Sequence, residues 1–211
     1  MTRDLVIIGC GGFGREVADV VDALNKVNPE WNLLGFVDDS PSPENIARVN
    51  RRGSKLIGVL DETSFKSPPH FAVGIGNGDT RERIAARAEA KGWAAATLVH
   101  PMAALGSNVQ LSAGSIVCAH VAIGADVNVG RHAHLDRGVQ IGHDSSLADF
   151  VTVHPAAVIS GSCNIATGVE LGTNCTLLPG VRIGARAVVG AASCVTADVA
   201  RETTVKGVPA K

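Results

Sequence analysis

From residue 105 to residue 195, every sixth residue is Leu, Ile or Val. Leu105, Leu111, Val117 and Ile123 open the series, Val189 and Val195 close it, and its sixteen positions contain no exception. The position two residues earlier is always small or Val, as in Ala103, Val109, Ser115, Cys163 and Ser193. Gly often follows the aliphatic residue, as in Ile123-Gly124, Val129-Gly130, Ile141-Gly142, Leu171-Gly172 and Ile183-Gly184. A period of six matches neither a helix nor an alternating strand. It suits a short strand plus a corner, so that three units close a triangular coil of about eighteen residues and stacked coils pair in parallel. The aliphatic side chain then fills the prism, the small residue takes a tighter inward position, and Gly is expected where the chain bends and its backbone is most crowded. Rings do not fit such an interior, and aromatics are only 3% of the chain, with no Tyr.

The first hundred residues follow another grammar. Leu5 to Ile8 reads as a buried strand, Glu16 to Leu24 as a helix with Val17, Val20, Val21 and Leu24 on one side, and Leu33 to Val37 as a second strand. Lys55 to Leu60 and Phe71 to Ile75 are further strands, a charged helix runs from about Thr80 to Lys91, and Ala94 to Val99 closes the unit as a last strand. Such alternation predicts a parallel sheet covered by helices. The expected organisation is a Rossmann-like α/β domain over 1–100 and a parallel β-helix of about five coils over 101–211.

Several function classes drop out on composition. A formal net charge of −1 draws the chain neither to nucleic acid nor to an anionic membrane. No apolar run approaches the length of a membrane span, and the start reads as a strand rather than a signal peptide. Five cysteines with no CxxC argue against a disulfide framework or zinc ribbon and for free thiols in a reducing cytoplasm.

Two stretches carry chemistry. Gly9-Cys10-Gly11-Gly12-Phe13-Gly14 is a GxGxxG between a strand and a helix, where backbone N–H groups meet phosphate, and Asp38 and Asp39 end the next strand. On its own this motif suggests a dinucleotide cofactor, or else a purely structural turn, since about a hundred residues are short for a full dinucleotide domain with a substrate site. In the repeat, His143 is followed directly by Asp144; on spacing alone the two fit either a general base with a carboxylate to orient it or a surface histidine at a coil corner. His132, His134 and Asp136 alternate on one face in the manner of metal ligands, but no three-His spacing like that of the gamma-class carbonic anhydrases is present. Solvated or interface histidines are the expectation, with no metal.

The six-residue period resembles the hexapeptide-repeat acyltransferases, and that resemblance implies a left-handed coil and a homotrimer. With Gly142-His143-Asp144, Asp149-Phe150-Val151 and the ending Lys206-Gly207-Val208-Pro209-Ala210-Lys211, Leu5 to Lys211 is similar to the sugar acetyltransferases that include bacillosamine-type UDP-4-amino-sugar N-acetyltransferases and sialic acid O-acetyltransferases. The resemblance implies transfer of acetyl from acetyl-CoA to an amine of a nucleotide-linked, UDP-type amino sugar. A sugar hydroxyl acceptor and a non-catalytic trimeric scaffold are the alternatives. His143 is then the base and Asp144 its partner. Gly161, one coil on, supplies a backbone donor, and Thr152, Thr173 and Ala191 contact acetyl-CoA. Gly11, Gly12 and Phe13 hold the diphosphate, Asp38 and Asp39 read base or ribose, Gly76 lines that pocket, and Asp136 faces the acceptor sugar. The chain departs from the family where Thr152 replaces a frequent His, with His154 two residues on.

Overall fold

The computed structural model describes residues 2–211 and divides the chain into two compact units, Met1–Pro101 and Met102–Lys211. In the first, β1 (Arg3–Ile8), β2 (Trp31–Val37), β3 (Leu56–Gly58), β4 (His70–Val73) and β5 (Ala94–Ala95) form a parallel sheet ordered β3-β2-β1-β4-β5. Helices α1 (Gly12–Val27), α2 (Pro43–Arg51) and α3 (Gly78–Ala90) connect the strands. Leu5 to Ile8 are at most 2% exposed, so the apolar run is the central strand, packed by Val17, Val20 and Val21 of α1. The strand order reverses between β1 and β4. That places a crevice above their C-terminal ends, where open parallel sheets bind ligands.

Three local expectations change. The closing strand is broken into β5 and β6 (Leu98–Val99): Ala96 still donates its N–H to Phe71 O at 2.8 Å, but Leu98–Val99 does not join this sheet. The strand expected over Lys55 to Leu60 shortens to three residues; Leu60 instead turns to donate its N–H to Asp39. Helix α2 was not expected. It is polar and buries only Val49, so it has no apolar stripe, although Ser42 caps it and Pro43 opens it.

The second unit is a left-handed parallel β-helix of two-residue strands on three faces. The first face stacks Ala104–Leu105, Ala122–Ile123, Gln140–Ile141, Val158–Ile159, Thr176–Leu177 and Cys194–Val195. The second runs from Gln110–Leu111 through Ser146–Leu147 to Arg182–Ile183, and the third carries His134–Leu135, Thr152–Val153 and Glu170–Leu171. Partners lie one coil apart, as in Gln140↔Val158 and Thr152↔Glu170. From Val117 to Val195 the periodic aliphatics are buried, as are the small residues two positions before them.

Bend and crowding fall on different residues. The bend is a left-handed backbone residue every sixth position, and most of these are not glycine: Asn108, Asp126, Asp144, Ser162 and Ala156 have φ of 58–60°. From Asp126 onward each of these donates its N–H to a carbonyl one coil back, Asp144 to Ala125 at 3.0 Å and Ser162 to His143 at 2.8 Å. The glycines after the aliphatics lie two residues before the bend and do not have positive φ. A Cβ at Gly124, Gly142 or Gly172 would lie 2.5–2.7 Å from backbone nitrogen in the next coil. Close stacking, not turning, requires them.

Candidate active site

His143 stands at the edge between the first and second faces, just after Gly142 and just before the bend at Asp144. The bend turns the Asp144 carboxylate back onto its neighbour, and Oδ2 lies 2.6 Å from His143 Nδ1. A carboxylate there can only accept, so the pairing selects a hydrogen on Nδ1. Both side chains are exposed, at 69% and 59%. Gly161 is one coil further along the same edge, and a Cβ on it would lie 2.8 Å from His143 Cε1 and Nε2. Only glycine leaves room for the ring, and the Gly161 N–H donates to no protein acceptor among the described residues. A proton acceptor and a backbone N–H without a protein acceptor thus lie one coil apart on the same edge.

Beside this edge lies an open apolar groove of about 590 Å³ on the first face, running past Ala104, Ala122, Gln140 and Val158 and over Gly106, Gly124 and Gly142. The glycines that allow coil stacking leave it smooth.

Other candidates occupy a different place. Thr173 and Ala191 are exposed neighbours on the edge after the third face, joined by Ala192 N–H to Thr173 O at 2.9 Å. Thr152 is on that third face and only 5% exposed. Asp136 shares the face and accepts the Arg137 N–H at 2.6 Å. His154 follows one coil later, with Nε2 2.8 Å from Glu170 Oε1. Glu170 is the register partner of Thr152, sixteen residues from His154, a spacing with no local motif to reveal it. Within one chain, Thr173 and Ala191 therefore do not meet His143. His132 and His134 are 1% and 2% exposed, so they are buried rather than solvated; His132 stacks flat on Phe150 at 5.5 Å. No cluster with metal-holding potential occurs among the described residues.

The first unit holds a second concavity. In the Gly9–Gly14 turn the glycines divide in two. A Cβ on Gly14 would fall 1.9 Å from Gly9 O, and Gly74 presses on Gly14 from the loop after β4, so these are packing positions. Gly11, Gly12 and Gly76 face open space, with Gly11 capping α1. Phe13 continues that first turn. Fully buried Arg81 holds the β4–α3 loop by donating to Ile75 O and Gly76 O at 2.9 and 2.8 Å.

Alongside is a cleft of about 390 Å³ lined by Ile8, Gly9, Asp38, Asp39, Ser40, Ile75, Thr80, Arg83, Ile84 and Arg87. Asp38 accepts the N–H groups of Cys10 and Ser40 at 2.8 and 2.9 Å. Asp39 accepts from Leu60 N–H at 2.9 Å and pairs with Arg87 at 2.6 Å. Burial works to raise the Asp39 pKa, but those two donors outweigh it and hold the carboxyl below its usual range. The Cys10 thiol is pushed up to about 12 by burial and by Asp38, which leaves it unreactive. Thr80, Arg83 and Arg87 were not expected as lining; their helix reads in sequence only as a charged one.

Residues 4–88 match the PglD N-terminal domain family. A GDP-perosamine N-acetyltransferase of Escherichia coli O157:H7 is 28% identical over 175 residues, covering 79% of this chain and 74% of that one. Two solved structures superpose over nearly the whole length. PerB from Caulobacter crescentus, in complex with CoA and GDP-perosamine, has a TM-score of 0.88 at 28% identity, covering 99% of this chain and 96% of its own. The acetyltransferase domain of PglB from Neisseria gonorrhoeae, in complex with acetyl coenzyme A, has 0.88 at 27%, covering 100% and 99%.

Proposed function

We propose that this chain, which resembles the hexapeptide-repeat sugar acetyltransferases, transfers an acetyl group from acetyl-CoA to the amine of a nucleotide-linked amino sugar, with His143 as general base. The observation that carries the reading is the His143–Asp144 pair set against Gly161. The acceptor amine attacks the thioester carbonyl and its proton passes to His143 Nε2. Asp144 stabilises the imidazolium, and the proton then leaves with the CoA thiol. The Gly161 N–H is aimed at the carbonyl oxygen as charge develops there. The apolar groove beside His143 suits the thioester arm.

Thr152, Thr173 and Ala191 fit this reading as contacts of acetyl-CoA from a neighbouring prism. They lie on a different edge from His143, and side-by-side packing in a homotrimer brings two such edges together. Asp136 belongs to the acceptor-sugar side in the same way. The open α1 N-terminus at Gly11, Gly12 and Phe13, with Gly76 opposite, suits the diphosphate, and the cleft behind Asp38 and Asp39 suits the nucleoside. Two of the relatives named above are named for, or bound to, GDP-perosamine, so both UDP and GDP acceptors belong in the test. The five free cysteines suit a cytoplasmic enzyme, and no helix among the described residues is long and apolar enough to cross a membrane.

The deciding experiment is thiol release from acetyl-CoA in the presence of UDP- and GDP-linked 4-amino sugars, their 4-hydroxyl counterparts, and sialic acid. Release only with the amino sugars is expected. Release only with hydroxyl acceptors would replace the amine reading, and none with any acceptor would leave a scaffold.

A further inference from the structure

We infer that Arg83 reads the nucleotide base, and that the cleft of the first unit thereby prefers bases with a keto oxygen, uracil and guanine, over the amino bases cytosine and adenine. The inference rests on the nucleotide-sugar reading above.

The cleft offers an apolar wall from Ile8, Ile75 and Ile84, which suits the face of a flat ring better than a hydroxylated sugar. Four charged side chains line it, and three are already committed. Both oxygens of Asp38 take backbone N–H groups, from Cys10 and Ser40. Asp39 takes Leu60 N–H and Arg87. Arg87 is held in turn by Asp39 and by Asp61, the latter at 2.8 Å. These groups build the wall, and the two aspartates marked by sequence as readers act as anchors for the loop.

Arg83 differs. It lies between Thr80 and Arg87 at helical spacing on α3, is exposed, and has as its hydrogen bond a 3.2 Å contact to Thr80 Oγ1. A guanidinium has five N–H donors and no acceptor, so it can reward only acceptor atoms on a ligand. Guanine presents O6 and N7 side by side, and uracil presents O4. Adenine and cytosine put an amino group at the corresponding position, donor against donor. Phosphate is the other acceptor a guanidinium takes, but the open turn at Gly11 and Gly12 lies outside the cleft lining and provides for it.

Titration calorimetry of the full-length protein with UDP, GDP, CDP, ADP, uridine, guanosine and pyrophosphate tests this, on wild type, Arg83→Met and Arg83→Lys. Wild type should bind a keto nucleotide about tenfold or more tighter than the amino counterpart of the same ring size. Arg83→Met should abolish that preference and weaken uridine or guanosine by the same factor, with pyrophosphate unchanged. Arg83→Lys, which keeps the charge and loses the planar fork, should restore only part of it. Equal wild-type affinity for keto and amino bases, or a parallel loss of pyrophosphate binding in Arg83→Met, would overturn the inference. A wild type that binds none of the nucleotides would instead overturn the nucleotide-sugar reading on which it rests.

Discussion

Asp144 holds two tasks that are normally divided between residues. Its left-handed backbone, φ 58°, makes the corner, and its carboxylate fixes the His143 ring. His143→Ala should lower kcat by about 10²- to 10⁴-fold, the range for loss of a general base, with little change in KM for acetyl-CoA. Gly161→Ala should act on the same ring by displacement. Its Cβ would arrive 2.8 Å from Nε2, and a misplacement of about 1 Å costs on the order of 10²-fold in kcat. Steady-state kinetics on both variants checks the pair; a Gly161→Ala enzyme with unchanged kcat would mean that the ring does not need its present position. At this scale the sequence was informative where neighbours in the chain are also neighbours in space. His143-Asp144 is such a pair, whereas His154–Glu170 is not, and Arg83 reads only as one charge of a charged helix until the cleft beside it is seen.

Among elements, the glycines of the repeat and of the first turn separate into kinds that mutation can tell apart. Gly142→Ala drives a Cβ to 2.5 Å from Gly161 N and should destabilise the β-helix by about 1–3 kcal/mol in denaturant unfolding, as overpacking does. Ala156→Gly, at φ 58°, should instead be neutral or stabilising by up to about 1 kcal/mol, because it relieves a left-handed alanine. In the first unit, Gly12→Val should leave thermal stability intact and raise KM for the nucleotide sugar alone, since Gly12 faces open space. Gly14→Ala should destabilise the fold through contact with Gly9 O. Equal melting temperatures for the two would contradict this division. The Asp39–Arg87 pair adds a pH signature. Because the folded carboxyl titrates below the ordinary value, its contribution is complete above about pH 4 and lost as pH falls through the lower folded value. For a pair this exposed the size is at most about 1 kcal/mol. Arg87→Met should flatten the acid limb of stability against pH, measured by urea unfolding. Helix α2 escaped the periodicity reading because packing supplies only Val49 to mark it, while its Ser42-Pro43 start was available as a signal.

For the whole molecule, the period of six was legible because one inward aliphatic per face repeats without interruption, and it carries no information about what lies outside the prism. That is why the buried state of His132 and His134, on or beside the outer surface of the coil, was not foreseen. A homotrimer should give three times 21.6 kDa by light scattering at micromolar concentration, and a monomer under those conditions would separate Thr173 and Ala191 from the chemistry at His143. The even stacking of the coils has a genetic consequence. His143 and Gly161 face each other because one full turn of chain separates them, so their spacing is set by a count of residues. Losing one codon between them would turn every later inward residue out of register, and gaining six would carry Gly161 to another edge. Nothing can be added or removed between them without dismantling the pair, and elsewhere in the prism only whole turns keep the edges aligned. Length change in this half of the gene is therefore quantised, and diversification within a coil is left to substitution.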